Sequence, residues 1–163
     1  MSSSSESGDG ESSASSVDEE EASAEADQDS SSAPAADSRI ALMAAEDFAP
    51  ERWTQEYCSS HVNFCIPVHK NWYFKSFGAL SSILWHVEIG PENVDELGDG
   101  PLTVELRTGD LASVGAKDGD LKEAGGKVTG YRSWSDSRHF AITGDAALRE
   151  PVSFITKALR QGP

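Results

Sequence analysis

Four histidines, two cysteines and a scatter of carboxylates are the groups in this chain that could serve as acid, base, nucleophile or metal ligand. His61, His69, His86 and His139 fall in four separate contexts, without a His-x-x-x-His or a Glu-flanked pair. His86 and Glu88 stand two apart in an alternating run, so they share a strand face and the carboxylate could pair with the imidazole. The plainer reading is an outward polar face, and His139 beside Arg138 has the same status. The many serines include no Gly-x-Ser-x-Gly elbow, and neither Gly98-Asp-Gly100 nor Gly125-Gly126 opens a strong helix as a phosphate-cradling loop must. Asp118, Asp120 and Glu123 could attract calcium weakly but lack the full spacing of an EF-hand. These residues predict no catalytic set, no cofactor and no resident metal.

Cys58 and Cys65 are separated by Ser-Ser-His-Val-Asn-Phe. That spacing permits a local disulfide, worth about 2.5 kcal/mol in the chain-entropy treatment of so short a loop. Two free buried thiols are the second reading. A metal pair assisted by His61 and His69 is the weakest, because the spacing matches no zinc pattern. A bridge would favour an oxidising compartment.

Aromatic residues offer the better lead. Trp72, Tyr73, Phe74, Phe77 and Trp85 crowd two neighbouring predicted strands, and alternation keeps them from all facing one side. With Trp72, Phe74, Trp85 and Val87 inward, Tyr73 lies on the opposite face with Lys75 and His86. Arg107 and Tyr131 would complete an aromatic and basic patch there, suited to a protein or glycan partner. A helical layer over the same face would turn these residues into core.

The elements that must position them are legible as periodicity. Ile40, Met43 and Ala44 repeat as on a helix, and Pro50 is expected to open a second short helix carrying Trp53 and Tyr57, four apart. From Val62 to Val68 the period changes to two, with Pro67 marking an edge or the end of pairing. Further strands are expected at Trp72–Phe77, Ile83–Ile89 and Leu102–Arg107. Residues 109–127 read as a long Gly-rich excursion with at most a short helix. A hairpin follows, Val128–Trp134 and Arg138–Thr143. The end reads as a helix, with Pro151 in its first turn, Val152, Ile155 and Leu159 on one face, Lys157 and Arg160 in its last turn and Gly162 as the stop. The fold class expected is α+β: a largely antiparallel sheet with flanking N-terminal and C-terminal helices.

Residues 1–38 have a different composition. They contain 11 of the 28 acidic residues, none of the 13 basic ones and no aromatic. Ordering each residue costs about 1 to 2 kcal/mol, and there is almost no apolar side chain here to offset it. The chain therefore divides into a Ser/Ala/Asp/Glu-rich tether, 1–38, and a single globular domain, 39–163. A formal net charge of −15 with scattered Lys and Arg argues against nucleic-acid binding. The start, Met1-Ser2-Ser3-Ser4-Ser5, looks like the mature leader of a bacterial surface lipoprotein with Met in place of the lipidated Cys. The expectation is an envelope or extracellular protein, with a lipid anchor ahead of residue 2 as its only membrane attachment. An acidic tail on a cytoplasmic protein is the alternative.

The stretch Val62-Asn-Phe-Cys-Ile-Pro-Val-His-Lys-Asn-Trp72, an alternating strand running through Pro into a turn closed by Trp, resembles the opening of PsbP-like domains. The Phe140-Ala-Ile142 strand, followed by a helix bearing Phe154, Ile155 and Leu159, is similar to the way such domains finish. The resemblance covers residues 56–90 and 138–160. It implies an α/β/α sandwich on an antiparallel sheet and a non-enzymatic accessory or binding domain, often exported or membrane-attached. No residue-level site comes with it, because the shared positions are core positions. The function expected is thus a non-catalytic, monomeric, surface-displayed binding or accessory domain on an acidic stalk. The alternative is an intracellular adaptor whose acidic tail binds a basic protein.

Overall fold

Alternating apolar residues along successive strands build the main sheet, seen here in a computed structural model that describes residues 32–162. The first 31 residues of the expected tether lie outside the described residues. Nine strands are described among these, and they are numbered here in chain order: β1 Gln55–Ser59, β2 Phe64–Val68, β3 Tyr73–Leu80, β4 Ile83–Gly90, β5 Leu102–Thr108, β6 Leu121–Ala124, β7 Lys127–Trp134, β8 Arg138–Asp145 and β9 Arg160–Gln161. Two α-helices accompany them, α1 Ser32–Ala44 and α2 Arg149–Ala158. The class is mixed α+β, in two antiparallel sheets: six strands in the order β3-β4-β5-β8-β7-β6, and three in the order β9-β2-β1.

Register fixes which side chains share a face. Val87 lies opposite Val104, Val104 opposite Ile142, and Ile142 opposite Gly130. This row belongs to the inner face, where Val87, Ile89, Leu102, Val104, Leu106, Phe140, Ile142 and Val128 are all buried. Because the side-chain period is two, their neighbours His86, Glu88, Glu105, Ala141 and Tyr131 must occupy the outer face.

The inner face is covered by α2 and the small sheet. Val152 and Ile155 of α2 and Phe64, Ile66 and Val68 of β2 are buried in the same core, each side chain contributing about 1.5 to 3 kcal/mol by leaving water. Phe64 meets Phe140 across the layers with ring centroids 4.7 Å apart. Met43 of α1 joins this core. The helix sits close over two glycines, and a Cβ at Gly130 would lie 1.9 Å from Thr156 Oγ1, while one at Gly144 would lie 3.1 Å from a Val152 methyl. Arg132 then closes the end of α2. Its guanidinium donates to the carbonyls of Thr156 at 2.6 Å and Leu159 at 2.8 Å, and to Asp118 at 3.1 Å.

Two expectations are corrected. Trp53 and Tyr57 are not on a helix: Pro50–Arg52 makes a single 3-10 turn, and the chain then enters β1, where Tyr57 pairs with Ile66. A spacing of four fits one helical face, but Gln55, Tyr57 and Ser59 also alternate, and pairing with β2 decides between the two. The terminal helix stops at Ala158, because Leu159 takes an extended conformation and Arg160–Gln161 pairs with β2 as β9. In the excursion 109–127, a 3-10 turn spans Leu111–Val114, with the Asp110 side chain accepting from Ser113 N, and β6 follows.

Candidate functional site

The outer face of the six-stranded sheet carries every residue of the expected partner patch. Tyr73 and Lys75 lie on β3, His86 on β4, Arg107 on β5 and Tyr131 on β7. They do not form one cluster, because three strands stand between Lys75 and Tyr131, roughly 19 Å at the usual strand spacing. Lys75 donates its ammonium to the Asp95 carbonyl and lies over the Phe77 ring. Among the described residues, loops 91–101 and 109–120 reach onto this face, and α2 packs on the other.

His86 is the centre of an arrangement that local sequence showed only in part. The ring is 5 % exposed, with Nε2 2.7 Å from Glu88 and Nδ1 2.7 Å from Glu105. Glu105 arrives through the β4–β5 register, directly opposite His86. Its second oxygen accepts from Arg107, two positions along the same strand face. Glu88 is buried as well, and accepts the backbone N–H of Gly98 and of Gly100, each within 3.0 Å. Gly100 is needed for that approach, since a Cβ there would sit 2.7 Å from the Glu88 Cβ. The chain of contacts therefore runs from the 91–101 loop through Glu88, His86 and Glu105 to Arg107. A buried carboxyl with this many hydrogen-bond partners is satisfied and held in place.

Beside it lies a concavity of about 260 Å³, lined by Glu105 and Arg107, by Thr129 and Tyr131, and by His139 and Thr143, with Val114 and Ala141 completing the wall. Thr129 and Thr143 face each other with their hydroxyl oxygens 3.3 Å apart. His139 is 2 % exposed and directs Nδ1 at the Gly109 carbonyl, 2.7 Å away. A carbonyl only accepts, so Nδ1 carries the proton in that bond. Nε2 takes no hydrogen bond among the described residues. Sequence reading placed His139 as an unremarkable outward polar residue and did not single out Glu105, Thr129 or Thr143.

Comparison with known proteins gives no guide. No family model, curated protein or solved structure matches the chain. The site must be read from its own geometry.

Elsewhere the other chemical residues are engaged. Cys58 and Cys65 stand opposite each other across β1 and β2 and are joined by a disulfide. Among the described residues, the one cluster of three ligand-type side chains is Glu56 with these two cysteines, and the sulfurs are spent on their own bond. His61 lies against Trp85, and His69 is buried with one ring nitrogen toward the Asp47 carbonyl and the other accepting Asn71 N–H. Asp118, Asp120 and Glu123 turn to separate partners, namely Ser133 and Arg132, the Lys117 N–H, and Arg149. The Ser133 backbone N–H, helped by Arg132, holds the Asp118 carboxyl below its ordinary value of 3.8. A second, more apolar hollow of about 460 Å³ runs beside α2, with Phe48, Leu121 and Phe154 in its wall. The cross-strand disulfide favours an oxidising environment. No described helix is long and apolar enough to cross a membrane.

Proposed function

We propose that this chain is a non-catalytic binding domain of an oxidising compartment, and that the outer sheet face around Glu105, Arg107, Tyr131 and His139 receives its partner, a protein or a glycan. One observation carries the reading. A polar, partly aromatic concavity lies on the sheet face opposite α2, and its Glu105 wall is held in place by the buried His86, which the buried Glu88 backs. Preorganised polar groups beside an aromatic ring are what a binding surface needs in order to limit the ordering cost of association. Two of the histidines also favour binding over catalysis: both ring nitrogens of His86 and of His69 are already engaged, and among the described residues neither meets a Ser, Thr or Cys nucleophile in a hydrogen bond.

In architecture we place the chain with the PsbP-like sandwiches, on the antiparallel sheet, the strand running through Pro67 toward Trp72, and the helix following the last long strand. The second helical layer of such a sandwich would belong over the outer face, where the described residues put loops 91–101 and 109–120. Display at a cell surface, on the acidic leader and through a lipid anchor, belongs to the same proposal. The intact mass of the chain from its source tests the anchor.

The acidic composition of residues 1–38 favours a second reading, an intracellular adaptor that binds a basic protein and loses it as salt rises. That reading requires thiols. Alkylation of the unreduced, denatured chain from its source separates the two, with no label at Cys58 and Cys65 expected for the first. The binding face is tested with the Arg107→Ala/Tyr131→Ala variant of the full chain: the proposal expects retention on source-cell surface material to fall at least tenfold with an unchanged melting temperature. Undiminished retention would refute it.

A further inference from the structure

Resting on the binding reading above, we propose that the outer-face concavity takes one neutral sugar ring, the terminal residue of a glycan, with Tyr131 as its apolar platform. Charge argues for neutrality. The acidic and basic side chains of the wall are Glu105 and Arg107, which face each other, and Glu105 also faces His86. An anionic ligand would meet the Glu105 carboxylate, and a cationic one would meet the Arg107 guanidinium. A hydroxyl, being both donor and acceptor, suits either.

The remaining polar groups have the same mixed character. Thr129 and Thr143 offer a pair of hydroxyls that can donate or accept. His139 is the independent observation. It is 98 % withdrawn from solvent, lines the concavity, and has Nε2 without a hydrogen-bond partner among the described residues, while Nδ1 donates to Gly109. A ring nitrogen that borders open space without a protein partner is completed by a ligand hydroxyl. Tyr131 lies 6.2 Å from the His139 ring, so the platform and this nitrogen border the same space. The volume of about 260 Å³ is just below the ~300 Å³ at which drug-sized pockets begin, which is room for a single ring.

The test is a titration of the 15N-labelled full chain with neutral methyl glycosides of glucose, galactose, mannose and N-acetylglucosamine, alongside glucuronate and glucosamine as charged analogues. At least one neutral glycoside should saturate with a dissociation constant on the order of 1 mM, as expected for one ring. It should move the amides of Thr129, Tyr131, Ala141 and Thr143. Tyr131→Ala should weaken it at least tenfold and Thr143→Val severalfold, while Lys70→Ala, on another part of the surface, leaves it unchanged. His139→Gln is a less direct probe because the side chain is buried, so Thr143→Val carries the polar half of the argument. Three results would overturn the assignment: silence from every neutral glycoside, tighter binding of a charged analogue, or affinity unaltered by Tyr131→Ala. If these amides answer a polypeptide partner but no sugar, the sugar is wrong and the binding face stands. If the partner's shifts gather at Phe48, Leu121 and Phe154, both fail.

Discussion

The His86 ring lies between Glu88 and Glu105, with one ring nitrogen 2.7 Å from each carboxyl. This makes the three side chains one unit: removing any member leaves a buried polar group without its partner. Glu88 is the most exposed to that penalty, because it also receives Gly98 and Gly100 from the neighbouring loop. Glu88→Ala is expected to lower stability by about 3 kcal/mol in urea unfolding and to raise amide exchange at Gly98 and Gly100. Half of this arrangement is legible in the sequence. His86 and Glu88 alternate on one strand, so their shared face could be read locally. Glu105 is 19 residues away from His86 and reaches it only through strand register, which no local pattern specifies.

At the scale of elements, the sheet was legible and its accessories were not. Long strands such as Ile83–Gly90 announce themselves because Ile83, Trp85, Val87 and Ile89 alternate along them, and the helix Arg149–Ala158 does so through Val152 and Ile155. β6, with the sequence Leu-Lys-Glu-Ala, and β9, two residues long, have too little apolar patterning to register, and exist because a neighbouring strand offers them hydrogen bonds. Trp53 and Tyr57 misled for the opposite reason: their spacing suited a helix, and tertiary pairing overrode it. The contact between α2 and the sheet was equally hidden, since nothing in the sequence says that Gly130 lies under Thr156. Gly130→Ala should therefore cost about 3 kcal/mol, with partial recovery in Gly130→Ala/Thr156→Ala, because the hydroxyl and methyl nearest the new Cβ are then gone. Urea unfolding of the single and double variants checks both signs. Asp118, which braces Arg132 at the end of the same helix, gives a pH signature. Its folded value is depressed, so its contribution is present above 3.8 and disappears as pH falls through the folded value. Asp118→Asn should shallow the acid limb of the stability profile measured between pH 5 and pH 2, by a small amount because the carboxylate is more than half exposed.

For the molecule as a whole, the arrangement assigns different tasks to the two faces of one sheet. The inner face spends its side chains on the core, and β1 and β2 of the small sheet are tied to each other by a disulfide whose Cys58 is exposed. Cys58→Ser/Cys65→Ser is expected to destabilise the chain by about 2.5 kcal/mol without altering the outer face. Denaturant unfolding of the double variant measures the first part, and its 15N shifts at Thr129 and Tyr131 the second. The outer face holds its innermost polar residues, His86 and Glu88, in hydrogen bonds to each other and to Glu105. That division was foreseeable from alternation. Which outer residues converge on one concavity was not, because Arg107, Tyr131 and His139 come from three strands whose order in the sheet differs from their order in the chain.

Amide chemical-shift mapping of the full chain against its partner tests the division most directly, with the neutral methyl glycosides as the first titrants and source-cell surface glycans as the second. The account predicts shifts confined to β5, β7 and β8 around Glu105, Tyr131, Ala141 and Thr143, absent in Tyr131→Ala. Shifts gathered instead along α2 near Phe154 and Lys157, with the outer face silent, would contradict it.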